Sequence, residues 1–206
     1  MTDYKKIFVT NLDRVDSLCN LYSKLKNEGE NNAKYYKLTD MLRAATVLLH
    51  SSFEEYYRCV ITHWLPIRGD EKTLESIVLP DDAGKKGNVK YTLYSLMEFK
   101  DQTIGDLFEV SINGYMSRTT FNNFSEICAW ASKINLDLSE FKNMETKYYL
   151  DIDKAVSRRH KIVHEADTSR NGENERLNGI IPGNVIQWKE AYLLLVDAID
   201  DQIEKW

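Results

Sequence analysis

Residues 39–66 read TDMLRAATVLLHSSFEEYYRCVITHWLP, and this stretch limits the fold more than any other. Met41, Leu42, Ala45, Leu48, Leu49, Phe53, Tyr56, Val60 and Trp64 recur at the helical period of 3.6 residues. The spacing predicts a helix from Thr39 or Asp40 to Leu65, with Pro66 as its stop. A helix of that length with one apolar face has to be covered by other helices or by a sheet.

The rest of the chain supplies helices. Val15, Leu18, Leu21, Tyr22 and Leu25 predict an upstream helix ending near Glu28 and Gly29, paired with the first as an antiparallel hairpin. Residues 121–134 form a short helix in this reading. A longer one runs from Glu140 to Glu165, with Phe141, Met144, Tyr148, Ile152, Ala155, Val156 and Val163 along one stripe. The polar run DTSRNGENERLNG is expected to be a loop. A last helix begins near Pro182 or Gly183 and ends at Trp206, with Val185, Trp188, Tyr192, Leu195, Val196, Ile199 and Ile203 inward. No repeat and no sustained alternation of strand type occurs. The expectation is an all-α bundle in one domain, residues 1–206, with its core in about 39–66 and 121–206. Residues 67–120 have too few apolar positions for a core of their own, and LPDDAGKKGNVK is rich in turn formers. That segment is expected to be an irregular insertion with short helices.

A chain of 206 residues with 43% hydrophobic and 29% charged residues can bury a substantial core. No apolar run approaches the roughly 20 residues of a membrane span, and MTDYKKIFVT has no signal-peptide core. A cytoplasmic protein without membrane attachment is expected. Cys19, Cys59 and Cys128 are far apart and unpaired in pattern, so they read as small buried side chains. A net charge of −5 argues against coating nucleic acid by bulk electrostatics. Contact with RNA would have to come from a confined patch.

The segment SRRHKIVHEAD, residues 157–167, is such a patch and holds half of the four histidines. On a helix, Arg159 falls on the stripe of Ile152, Ala155 and Val156. An unpaired guanidinium is costly to bury, so Arg159 should meet an acid, a phosphate or a wet cleft. His160 and His164 are four apart and neighbours on the flank, while Arg158 and Lys161 are expected to project toward solvent. One fixed cation beside two groups that titrate near neutrality suits phosphodiester cleavage. A histidine moves protons and an arginine stabilises charge on phosphorus. Two-fold pairing of this helix would bring two of each residue to a common cleft.

The stretch RRHKIVHEAD resembles the R-x4-6-H signature of the HEPN superfamily through Arg159, His160 and His164. MLRAATVLLHSSFEEYYR is similar to the long N-terminal helix of the RiboL-PSP-type branch, including Glu54 after Phe53. SRTTFNNFSEICAWASKINLDL is similar to that branch's middle segment. The resemblance covers much of the chain from about residue 39 onward, and neither the first 38 residues nor 67–110 contribute to it.

It implies a helical homodimer with a metal-independent endoribonuclease site needing no cofactor, often within toxin-antitoxin or antiviral defence modules that supply a protein partner. Arg159 would contact the scissile phosphate and His164 would act in acid-base catalysis. His160, where asparagine is common, and Glu54 would support them, and Arg158 and Lys161 would bind the RNA backbone. Cleavage would leave 2′,3′-cyclic phosphate and 5′-hydroxyl ends.

Other readings of the same residues remain open. Cations and histidine are favoured at a helix C-terminus by the macrodipole alone. His160 and His164 stand at zinc-ligand spacing, but Lys161 occupies the position of the zincin glutamate and would repel a cation. His50 and Glu54 are either a support for the cleft or an ordinary exposed pair. The chain as a whole could be a helical module that binds nucleotide, RNA or protein without cleaving, or an interaction subunit whose Arg159 forms a buried ion pair.

Overall fold

The chain enters its first helix through a side-chain cap. The Thr2 hydroxyl accepts from the Lys5 N–H, and Asp3 places a negative charge at the helix start. The computed structural model describes residues 2–28, 35–77, 97–144, 146–171 and 174–206. Gly29, the expected loop segment 79–90, residues 172–173 and the Met144 side chain lie outside the described residues.

Helix α1 spans Asp3–Asn27 and α2 spans Tyr35–Arg68. Phe8 of α1 meets Tyr56 of α2, with ring centroids 5.9 Å apart, and Tyr4 meets His63. The start of α1 therefore lies at the end of α2, which makes the pair the expected antiparallel hairpin. Phe8, Leu12, Val15, Cys19 and Tyr22 form the buried side of α1.

Pro66 does not stop α2 where expected; the helix continues to Arg68. A proline removes one N–H donor, and so near a helix end it costs one turn's hydrogen bond and leaves the helix intact. The exit comes at Gly69, whose N–H donates to the Leu65 carbonyl. A Cβ at Gly69 would collide with that same carbonyl oxygen, so the turn requires glycine.

After a short α3, Glu71–Glu75, and a 3-10 turn at Met97–Phe99, helix α4 spans Ile104–Met116. The segment 67–120 thus contains a capped helix of 13 residues. Thr103 and Asp106 exchange side-chain and backbone bonds at its start, a capping box. Ile112 and Met116 are buried, and the Arg58 guanidinium of α2 donates to the Met116 and Thr119 carbonyls at its end. Helix α5, Phe124–Lys133, is capped by Asn123. The expected 140–165 helix is described as α6, Ser139–Met144, and α7, Thr146–Glu165, with Glu145 outside the described residues. The Asp153 carboxylate of α7 accepts from the Phe124 N–H, which ties α5 to α7.

The polar run after α7 is not a plain loop. Thr168–Asn171 and Asn174–Leu177 pair as an antiparallel two-stranded hairpin, β1 and β2. Helix α8, Pro182–Ile203, then closes the bundle. Leu42, Ala45, Leu49, Phe53, Tyr57, Val60 and Ile61 of α2 are fully enclosed, as are Ile152 of α7 and Tyr192, Leu195 and Ile199 of α8. Phe53 sits between the Tyr57 and Tyr192 rings at 5.6 and 4.8 Å. Such offset aromatic contacts add to the stabilisation from burial. The architecture is an all-α bundle centred on α2. No helix among the described residues is long and apolar enough to cross a membrane.

Candidate functional site

Helix α7 turns Ile152, Ala155 and Val156 into the core, and Arg159 follows them one turn later. Its side chain remains 23% exposed, at the rim of the interior. Across the seam, the Glu54 carboxylate of α2 approaches the Arg159 guanidinium, with Oε2 3.7 Å from Nη2. The Arg159 Nε–H is buried and makes no hydrogen bond. The guanidinium is therefore charge-paired on one side and has donor capacity left over.

Behind Glu54 lies a buried polar row. His50 Nε2 is 3.6 Å from Glu54 Oε1, and His50 Nδ1 is 2.8 Å from the Tyr192 hydroxyl. His50 and Glu54 are 2% and 12% exposed, so they are not an ordinary surface pair. A tautomer with its proton on Nε2 accepts from the Tyr192 O–H and turns an N–H toward Glu54. Burial pushes the Glu54 carboxyl up, but the neighbouring His50 and the Arg159 charge outweigh it and hold the group below its ordinary value. Burial raises the Tyr192 hydroxyl well above its usual range, which keeps it a donor.

Beyond Arg159 the bundle stops covering α7. His160, Lys161, Val163, His164 and Glu165 are all exposed, and only Ile162 is part-covered. Val163, expected on the buried stripe, is 50% exposed. The His160 and His164 rings stand 4.6 Å apart on this overhang, as their spacing predicts. Arg159 and His164 are five residues apart, about 140° around the helix, so one chain presents them on different sides.

Arg158 departs from expectation. It does not project to solvent: its Nη2 donates to Asp167 Oδ2 and to the Asn178 and Gly179 carbonyls, at 2.8, 2.9 and 2.9 Å. The cause is the chain reversal after α7. Ala166 and Asp167 adopt left-handed backbone conformations, with φ of 48° and 55°, and fold Asp167 back beneath the helix. There Asp167 is fully buried and also accepts from Arg43 Nε of α2 at 2.7 Å. Arg43 donates further to Thr39, Asp40 and the Asn178 carbonyl. This clasp of two arginines on one aspartate was not foreseen. The available signal was Arg43 itself, a cation placed between Leu42 and Ala45 on an apolar stripe. Among the described residues, no group of three or more His, Cys, Asp or Glu side chains is placed to hold a metal ion.

A family model described as RiboL-PSP-HEPN matches residues 11–205. The match takes in most of α1 and the whole of 67–110, regions to which the motif resemblance did not extend. No curated protein and no solved structure matches the chain.

Proposed function

The chain belongs to the RiboL-PSP-HEPN family, and on that premise we propose that it is a metal-independent endoribonuclease acting as a homodimer. The observation that carries the reading is Arg159: a guanidinium held at the rim by Glu54, with an unbonded Nε–H, where α7 leaves the bundle carrying two imidazoles. Two-fold apposition of the overhanging turns, over the exposed Val163, sets Arg159 of one protomer near His164 of its partner. Dimerisation overcomes the angular separation that a single helix imposes.

In the reaction, a His164 imidazole takes the proton of the ribose 2′-hydroxyl as O2′ attacks phosphorus. The P–O5′ bond breaks, and O5′ receives a proton from an imidazolium. The Arg159 guanidinium neutralises the charge that builds on the phosphoryl oxygens. His160 supports His164, Glu54 orients Arg159, and Lys161 attracts the backbone. Arg158 is committed to the clasp, so its contribution to RNA is to fix the helix on which Lys161 stands. The products are a 2′,3′-cyclic phosphate and a 5′-hydroxyl. The setting is cytoplasmic, in a toxin-antitoxin or antiviral defence module whose other protein restrains the nuclease.

The test is cleavage of end-labelled single-stranded RNA in excess chelator with end-group analysis. Cyclic-phosphate products lost in His164→Ala support the proposal. Cleavage that needs a divalent ion, or that survives His164→Ala, overturns it. The second reading, a module that binds RNA without cleaving, is favoured by the Arg159–Glu54 pair, which already balances the cation's charge in a single chain. Retained RNA affinity with no turnover would select it.

A further inference from the structure

A cleft of about 520 Å³ lies beside α7, between its outer face and the turn that leads into α8. It is walled by Lys154, Ser157, Arg158 and Lys161 on one side and by Asn184 and Trp188 on the other. We infer that this cleft binds the nucleotide of a single RNA strand adjoining the scissile phosphate, with Lys154 as a phosphate contact. The inference rests on the reading that RNA is drawn to α7, and it assigns a separate place on that helix to the uncut part of the strand.

Three observations support it. Lys154, Arg158 and Lys161 follow one another at i, i+4 and i+7, so they form a single row of cations, each about one 5.4 Å turn beyond the last. The next step in that direction, from Lys161 to His164, is three residues, which puts the catalytic imidazole at the end of the row. A strand lying in the cleft is thereby led to the site of chemistry.

The second observation concerns what each cation is doing. Arg158 is immobilised by Asp167 and two carbonyls, a rigid positive wall. Lys154 is 62% exposed and pairs with Asp151 at 2.9 Å. Asp151 itself is fully buried; the Lys154 ammonium has three donors and gives one to that carboxylate, so the others remain for a phosphate. The acid on the cleft wall, Asp153, is turned toward α5, where it accepts from the Phe124 N–H.

The third is the rest of the lining. Trp188 and Ile180 close the cleft from the core and are themselves buried, while Leu150 of α7, 42% exposed, gives the apolar surface against which a base can lie. Asn184 Oδ1 accepts from the Ile181 N–H, which leaves its amide NH₂ to donate to a ligand. The volume suits one nucleotide unit and is too small for a duplex.

The experiment compares a 12-nucleotide single-stranded RNA with a dinucleoside monophosphate, which has a single phosphodiester and no neighbouring phosphate. For the wild-type chain and Lys154→Glu, the ratio of kcat/KM on the two substrates is measured. Binding of the longer RNA is measured in parallel on a His164→Ala background across salt concentrations. The expected result is a ratio about tenfold lower in Lys154→Glu, with a log–log salt slope of binding shallower by about 0.7 for each phosphate that is no longer neutralised. Lys154→Arg should restore both. An unchanged ratio and salt slope in Lys154→Glu, with the wild type active, overturns the cleft alone. Binding that depends on Lys154 without any cleavage keeps the cleft and removes the nuclease. Competition by a mononucleotide as strong as that by the longer RNA would instead make this a mononucleotide pocket and overturn the strand assignment.

Discussion

Glu54 and Arg159 come from helices α2 and α7, 105 positions apart in sequence, and meet with Oε2 and Nη2 3.7 Å apart. Glu54 thereby fixes where this rim cation of α7 points, and the His50–Tyr192 row fixes Glu54. Replacing Glu54 with glutamine keeps the shape and removes the charge. The expected outcome is a fall in kcat on the order of 10- to 100-fold from misplacement of Arg159. Circular dichroism and single-turnover cleavage together check it.

The same carboxyl gives a pH prediction. Glu54 lies below its ordinary value of 4.5 in the folded protein, so in acid the unfolded chain binds its proton more readily. Its contribution to stability is present above about 4.5 and is lost as pH falls through the depressed folded value. Denaturant midpoints measured from pH 6 down to pH 3 should fall less steeply for Glu54→Gln than for the wild type.

His164→Ala should lower cleavage by about 10² to 10⁴, the usual share of general acid-base catalysis, with little change in thermal midpoint because the residue is exposed. His160→Ala should cost less. Equal losses in both would show that the two rings, 4.6 Å apart, act as one unit.

Asp167 is the residue whose loss should harm folding most. Asp167→Ala leaves the inward-turned guanidinium groups of Arg43 and Arg158 without their shared carboxylate, at a cost of about 3 to 5 kcal/mol. Asparagine tolerates the left-handed backbone, so Asp167→Asn isolates the charge from the conformation. Urea unfolding of the two variants gives the separation, with Asp167→Asn the milder.

Tyr192→Phe removes the hydroxyl that is hydrogen-bonded to His50 Nδ1. A loss of about 1 kcal/mol is expected, read from the denaturant midpoint. If the polar row orients Arg159, kcat falls as well, and a change in stability alone would confine the row to a packing role.

Helix phase was legible in the sequence because burial repeats every three to four residues. Leu42, Ala45, Leu49, Phe53 and Val60, read as one stripe, are all fully enclosed. Arg159 was legible as an anomaly on such a stripe, and the resemblance, together with its need for a partner, singled out Glu54. The clasp was not legible. Its aspartate sits in a polar run without period, 124 positions from Arg43, and only the reversal through Ala166 and Asp167 joins them. The hairpin at 168–177 was missed for a related reason, since its pairing rests on backbone groups and its sequence lacks strand alternation. Val163 was misplaced because periodicity says which residues share a face and not where the neighbouring helices end.

The overhang of α7 separates two demands that usually conflict. Residues 160–165 contribute almost nothing to the interior, so substitutions there meet little resistance from folding. A lineage built on this scaffold can exchange the side chains of this exposed tip while the helices beneath it are inherited unaltered.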